Sequence, residues 1–184
     1  TMRIDLFKFC SSHTPDINYL KDDAKFDTTF WDEADLRFCS IILRLSDILD
    51  FVRSRSPESV FYHLQLDRPS SNSKKVSHDE WEKHLASKGF SFAKWKYNEP
   101  YEISFKAVPN NPAVEHDIRE FLSIIEKELH SCSVLIKFCS NKWNNFILPD
   151  KINLKNIQSQ GYKYGDYKFK LANNEVLNIL MGEN

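Results

Sequence analysis

The most apolar stretch of the chain, LRFCSIILRLSDILDF from Leu36 to Phe51, is interrupted by two aspartates. Apolar residues recur there every three or four positions, which predicts a helix that is apolar around most of its circumference and therefore buried. Asp47 lies one turn after Leu43 and one turn before Phe51, on the same face as both. An ionised carboxylate in that place costs several kcal/mol unless a cation, a metal or hydrogen-bond donors meet it.

An ion pair would satisfy Asp47 without any functional role. Arg44 precedes it by three residues on the same helix, and Arg53 and Arg55 follow just beyond the helix. Such pairs are common in protein structures and are structural. The residue types alone therefore leave a metal ligand and a structural ion pair both open.

The segment RLSDILDFVRSRSP resembles the last helix of the HD-domain metal phosphohydrolases, whose final metal ligand is the aspartate of an LRLADxLD helix. By position Asp47 matches that aspartate, so the resemblance implies that Asp47 is a metal ligand. The tail DFVRSRSP is similar to bacterial proteins that fuse an HD domain to a GHKL-type ATPase. Those proteins usually carry an acidic residue where this chain has Val52.

A second candidate ligand stands near the end of the first predicted helix, over residues 3–12. The segment CSSHT resembles a position of the same family at which a helix ends in a histidine near the metal centre, and this histidine is His13 here. A histidine at a helix C-terminus is also a favourable cap, because the helix dipole attracts positive charge there. Both roles of His13 stay open at this point.

Two His-Asp dipeptides, His78-Asp79 and His116-Asp117, are not expected to be catalytic. HD enzymes use a histidine, then an adjacent His-Asp pair, then a later aspartate, which together hold the metals that activate water. Both dipeptides follow Asp47, which is the wrong order. Each also falls in a predicted first helical turn, where acids complement the helix dipole.

The rest of the chain carries no second enzyme signature. Its four glycines form neither a GxGxxG nor a GxxxxGK[ST] phosphate loop. The last residues, FKLANNEVLNILMGEN, resemble the segment that leads into the first ATPase helix of the HD–GHKL fusions, but the RELxxNAxDA motif of that helix is absent. We therefore expect a non-catalytic coupling or regulatory fragment of a larger bacterial protein. The alternative is a stand-alone interaction or regulatory module with no active site.

Cofactors and partners follow from that expectation. A divalent metal and ATP are expected only in the parent protein, and the partners are its other domains, with homo-oligomerisation left open. With 25 basic and 26 acidic residues, the net charge of −1 does not favour nucleic acid or an anionic membrane. No apolar run reaches the length of about 18 residues that spans a bilayer, so we expect a cytoplasmic chain with no membrane partner.

Aromatic and basic residues alternate around Trp95, an arrangement that can stack on single-stranded nucleic acid. A β-hairpin with one aromatic face in the core explains the same residues more simply. The four cysteines are scattered without a CxxC pair, so we expect small core residues with free thiols: Cys10, Cys39, Cys132 and Cys139.

The expected fold class is α+β, with a helical N-terminal part followed by a hairpin-containing sheet that a long helix covers. Residues 1–66 would form the C-terminal part of an HD-type helical domain. Residues 67–76, DRPSSNSKKV, read as a linker because they contain one apolar side chain among Pro, Ser, Asn and Lys. Residues 77–184 would be the α+β segment that precedes an absent ATPase domain.

Local signals predict the elements of the second part. Ser77 and Glu80 form a capping box that opens a helix, and Gly89 would end it. Strands over 90–97 and 101–108 would form the hairpin.

A long helix over residues 113–138 follows, because apolar residues step by three and four there without Gly or Pro. Further strands are expected at 146–148, 152–157 and 167–171, and a short helix after Asn173.

Overall fold

The computed structural model describes residues 2–26, 29–30, 34–93 and 101–165. The N-terminal half is helical apart from two short paired strands. Its elements are α1 (Met2–Ser11), a 3-10 helix (Ile17–Lys21), α2 (Asp23–Phe26), β1 (Thr29–Phe30), β2 (Ala34–Asp35), α3 (Leu36–Leu49), a second 3-10 helix (Arg53–Arg55) and α4 (Glu58–His63).

The second half builds a three-stranded sheet with a long helix. Its elements are α5 (Asn72–Ala86), β3 (Ser87–Ala93), β4 (Glu102–Ala107), α6 (Pro112–Ile136), a third 3-10 helix (Asn141–Trp143) and β5 (Ile152–Ile157). The predicted α+β class, with helices first and then a sheet with a long helix, is confirmed.

Strand order in the sheet is β3-β4-β5. The predicted hairpin is confirmed, since β3 pairs antiparallel with β4 and Phe90 lies opposite Phe105. Its turn and Trp95 lie outside the described residues. β5 pairs parallel with β4, so α6 is the crossover between them. The sequence predicted β5 as a strand but not its direction.

The apolar residues that recur every three or four positions along α6 form a stripe, and this stripe is confirmed as part of the core. Its spacing predicted burial, and the structure buries all of these residues: Ile118, Leu122, Ile125, Leu129, Cys132 and Ile136. They share one hydrophobic cluster with Leu36, Ile41 and Leu45 of α3 and with Ile103 and Phe105 of β4. Helix α3 and the sheet are therefore packed around the same core.

No helix within the described ranges combines the length and the apolar character needed to cross a membrane.

The start of α5 corrects the predicted capping box. The helix begins at Asn72. The Ser71 hydroxyl caps it by accepting a hydrogen bond from the Lys74 backbone N–H, with 3.3 Å between the nitrogen and Oγ. Ser77 lies inside the helix, where its hydroxyl donates to the Ser73 carbonyl at 3.1 Å. Both serines suit an N-cap, and the cap at Ser71 adds more than a turn of polar residues to the helix. The domain boundary assigned to 67–76 stays a prediction.

Gly89 was predicted to end the helix, but the structure places it in a bulge of β3. Helix α5 ends at Ala86, and the strand starts at once with Ser87. The register shifts between Ser87 and Gly89, and Gly89 has a φ of +95°. A Cβ at this position would lie 2.7 Å from the Val52 Cγ1 atom, so both the conformation and the space require glycine.

The strand predicted at 146–148 does not form. Residues 146–150 carry no regular structure, and the Phe146 amide donates to the Trp143 carbonyl in a turn. The Phe146 ring instead meets the Phe38 ring edge-on, with centroids 5.2 Å apart. Both edges of β4 are taken, by β3 and β5, and residues 146–148 pair with none of the described strands. The elements predicted after residue 166 lie outside the described residues.

Candidate functional site

Helix α3 carries Asp47, and the first turn of this helix is fixed by a side-chain cap. The Asp35 carboxylate accepts a hydrogen bond from the Phe38 backbone N–H at 2.9 Å. The last fully buried residue of α3 is Leu45, and the Asp47 side chain is exposed to solvent. Asp47 therefore does not share the burial of the apolar stripe, because the buried residues stop one turn before the helix ends.

Arg44 binds groups other than Asp47. Its Nη1 atom donates to the backbone carbonyls of Ser12, His13 and Pro15, the first two at 3.4 and 3.2 Å. Its Nε atom pairs with the Glu128 carboxylate of α6. The guanidinium thus joins the end of α1, α3 and α6, and we name this set of contacts the Arg44 bridge.

The other two arginines also have different partners. Arg53 pairs with Glu58 at 2.8 Å, and Arg55 pairs with Asp50. The ion pair proposed for Asp47 as an alternative role is thus not formed with any of the three arginines. Among the described contacts, the Asp47 carboxylate has no hydrogen-bond or salt-bridge partner.

His13 lies in the turn that follows α1. Its Nδ1 atom donates to the Cys10 carbonyl of the last helical turn at 2.5 Å, which is the contact expected of a C-terminal cap. That bond also leaves Nε2 as the nitrogen that could bind a metal, since a ligating histidine usually donates its other N–H to an oxygen. Because Asp47 follows Arg44 by one turn on α3, the Arg44 bridge brings the His13 segment to the same side of α3 as Asp47.

The described donors do not fit a divalent metal on their own. Within residues 2–26, 29–30, 34–93 and 101–165, no group of three or more His, Cys, Asp or Glu side chains is placed to hold an ion. Asp47 and His13 together would supply two ligands, whereas divalent metals in proteins take four or more. Metal ligation by either residue stays a prediction.

The His-Asp dipeptides sit on helix surfaces. The His78 Nδ1 atom lies 3.0 Å from the Asp79 carboxylate, and Nε2 lies 4.0 Å from Glu82. Because α5 starts at Asn72, this dipeptide is in the second turn rather than the first, which corrects the predicted position. His116 is exposed near the start of α6.

The thiols are unlinked in the structure, with Cys10 exposed and Cys132 and Cys139 buried. Burial raises the pKa of the Cys132 thiol to about 12, and the nearby Glu128 carboxylate adds to the effect. Burial likewise raises the pKa of Cys139 to about 12. Both thiols are therefore protonated near neutral pH and are poor nucleophiles.

Glu115 on α6 is a fully buried carboxylate that sequence reasoning did not single out. Arg119 donates to its Oε1 atom at 2.9 and 2.6 Å, while the hydroxyls of Ser159 and Tyr162 each donate to Oε2 at 2.7 Å. Burial by itself raises the pKa of Glu115, but these hydrogen bonds outweigh it and hold the pKa below the usual 4.5. The cluster fastens the segment after β5 to the start of α6.

This cluster predicts an acid-sensitive contribution to stability. A carboxylate whose pKa is lower in the folded state stabilises the fold above its unfolded pKa of 4.5 and loses that contribution as the pH falls through the folded pKa. We expect Glu115→Gln to lower the free energy of unfolding by about 1–2 kcal/mol at pH 7, with the difference shrinking as the pH falls below 4.5 toward 3. Urea titrations across this range measure it. Glu120→Gln, an exposed neighbour, is the control, and an equal loss at pH 7 and pH 3 would contradict the assignment.

Comparison with known proteins gives one match. A family model, HD-CE, matches residues 1–131, from α1 into the last third of α6. No curated protein matches the chain, and no solved structure does. The predicted relation to HD domains is confirmed at this level. Since the match covers well over half of the 184 residues, the chain belongs to the HD-CE family and contains an HD-related domain.

Proposed function

We propose that this chain is a non-catalytic coupling segment of a larger HD-related protein. In this proposal, Asp47 contributes one ligand to a metal site that other parts of the protein complete. The segment then connects that site to α6 and the sheet. The observation that carries the proposal is the Arg44 bridge, because one guanidinium contacts the chain around His13 and a carboxylate on α6.

The environment of the Arg44 bridge suits a mechanical link. The side chains of Arg44 and Glu128 are each 15% exposed, so their ion pair is partly shielded from water and stronger than a surface pair. Glu128 lies next to Leu129, which is buried in the shared core. A shift of the segment after α1 would therefore be passed to α6 through a charge-assisted hydrogen bond and then to the sheet.

Asp47 is suited to act with ligands from elsewhere. Its carboxylate is exposed and is not held by Arg44, Arg53 or Arg55. His13 would be a second ligand through Nε2. A divalent metal bound there would supply an activated water for phosphate-ester hydrolysis. Further ligands must come from outside the described residues, which is why the proposal assigns hydrolysis to the parent protein.

The proposal also states which modules the larger protein contains. We infer that the rest of an HD-type phosphohydrolase module precedes residues 1–66 and that a GHKL-type ATP-binding module follows residues 77–184, because two segments of the sequence resemble such fusions. The support is RLSDILDFVRSRSP for the first module and FKLANNEVLNILMGEN for the second. The sequence of the full-length reading frame, on both sides of this segment, tests this inference. It requires a histidine and a His-Asp pair upstream and a RELxxNAxDA-type motif downstream.

Catalytic silence of the chain alone is the first expected result. With added Mn²⁺ or Mg²⁺, we expect no hydrolysis of nucleotides or p-nitrophenyl phosphate above the blank, and no ATP binding. Because one or two ligands do not hold a divalent ion tightly, Mn²⁺ affinity should be the same in the wild type and in Asp47→Ala. Asp50→Ala is the matched control at the same helix end. Turnover that Asp47→Ala abolishes, and Asp50→Ala does not, would make the chain an enzyme.

The coupling itself is tested by hydrogen exchange in the intact chain. Glu128→Gln removes the charge that holds Arg44, so the amides of residues 12–14 and 16 should exchange about tenfold faster, although Glu128 itself lies on α6. Glu120→Gln, an exposed residue of the same helix, should leave these amides unchanged. Unchanged exchange in Glu128→Gln would remove the coupling role even if the chain proved catalytically silent.

A further inference from the structure

Helices α5 and α6 enclose an open groove of about 560 Å³. Four residues from each helix line it. The members of this α5–α6 groove are Val76, Asp79, Glu80 and Lys83 on α5 and Asp117, Glu120, Phe121 and Ile124 on α6.

The spacing of these residues gives the groove its shape. On each helix they stand at positions i, i+3, i+4 and i+7, so each helix offers one continuous face two turns long. At 1.5 Å per residue these faces extend roughly 10 Å along each axis. A trough between two such faces has the form that receives a third helix.

Apolar side chains in the groove are open to water. Val76 is 64% exposed and Ile124 is 55% exposed, although Ile118, Leu122 and Ile125 on another face of α6 are buried. Isolated exposed apolar residues are normal, but these two line the same groove together with Phe121. Helix α5 has no fully buried residue, and its Lys83 ammonium group lies 5.7 Å from the centre of the Phe121 ring.

The charge around these apolar residues is strongly one-sided. Four carboxylates and one ammonium group line the groove, and that ammonium group, on Lys83, is already paired with Glu80 at 2.7 Å. Among the described contacts, Asp117 and Glu120 have no ion-pair partner. The whole chain has a net charge of only −1, so the acidic rim is a local feature. It favours a cationic partner and repels an anionic surface.

We infer that the α5–α6 groove binds a basic amphipathic helix of a partner protein. Apolar residues of that helix would cover Val76, Phe121 and Ile124, while its Lys or Arg side chains meet Asp117 and Glu120 on the rim. The inference does not depend on the coupling role, because no residue of the Arg44 bridge lines the groove.

A designed peptide is the probe. It is a fluorescein-labelled helix of about five turns, with Leu at helical i, i+3 and i+4 spacing and Lys elsewhere. Anisotropy titrations with the intact chain should give a micromolar dissociation constant, at least about tenfold tighter than for a scrambled peptide of the same composition. A peptide with Glu in place of Lys should not bind. Raising the salt from about 50 to 500 mM should weaken binding several-fold.

Variants locate the site on the protein. Asp117→Lys with Glu120→Lys, and separately Ile124→Ser, should each weaken peptide binding about tenfold while circular dichroism shows the same fold. Asp150→Lys changes an exposed acid elsewhere and should have little effect. Equal binding of the scrambled peptide, or an equal loss in Asp150→Lys, would reduce the interaction to general charge attraction and overturn the inference. A dimer of the chain that Ile124→Ser dissociates would overturn it as well, since the groove would then bind a second copy.

Discussion

Replacing Ile125 or Leu129 with aspartate should lower the free energy of unfolding by about 4 kcal/mol or more, because each change places an unpaired charge in the core. Ile125 is fully buried and Leu129 is 1% exposed. They belong to the cluster that joins α6 with α3 and the sheet. For a chain of this size the melting temperature should fall by about 10 °C.

The same helix offers a matched control. Ile124 precedes Ile125 and is 55% exposed, so Ile124→Asp makes the same chemical change on the surface. Its effect should stay within about 0.5 kcal/mol. Circular dichroism melts of the three variants compare them directly. If Ile125→Asp melted within a degree or two of the wild type, the stripe of α6 would not be core.

The two long helices of the second half differ in how far the sequence predicts them. The stripe of α6 is read correctly because its period of three and four residues coincides with its buried face. Helix α5 has no fully buried residue, so periodicity says little about where it begins. Two serines, Ser71 and Ser77, could each cap it. Ser71 is identified as the cap only in the folded chain, where its hydroxyl and its carbonyl accept hydrogen bonds from the Lys74 and Lys75 amides.

The parallel direction of β5 and the hydrogen bonds around Glu115 both depend on contacts between residues far apart in the sequence. The spacing of Glu115 and Arg119 is readable as a helical i,i+4 pair. The two hydroxyl donors, from Ser159 and Tyr162, lie more than 40 residues later and reach Glu115 only because β5 runs parallel to β4. No local pattern in the sequence reports that direction, so the buried carboxylate could not be foreseen.

The apolar pattern of α3 does not tell which of its charged residues is buried. Asp47 lies within the apolar pattern and is exposed, whereas Arg37 is 3% exposed. Arg37 stands in the first helical turn, where the helix dipole disfavours a positive side chain. Its position is stabilised by partners from other segments, which periodicity within α3 does not reveal.

Arg37 is therefore a further residue whose loss should be costly. Its Nε atom donates to the Leu20 carbonyl at 2.9 Å, and Nη1 donates to the Phe138 carbonyl at 2.7 Å. These bonds join α3 to the 3-10 helix before it and to the end of α6. The ion pair of Nη2 with Asp23 adds little, because the Asp23 side chain is 74% exposed.

Arg37→Met should lower the free energy of unfolding by about 3 kcal/mol, because it keeps much of the apolar volume but leaves two carbonyls without their donor. Arg37→Lys should recover only part of this loss, since a single ammonium group lacks the planar fork that reaches both oxygens. Asp23→Asn removes the exposed ion pair alone and should cost less than about 1 kcal/mol. Urea titrations of the three variants rank these effects. A loss in Arg37→Met no larger than that in Asp23→Asn would show that the two backbone contacts do not stabilise α3.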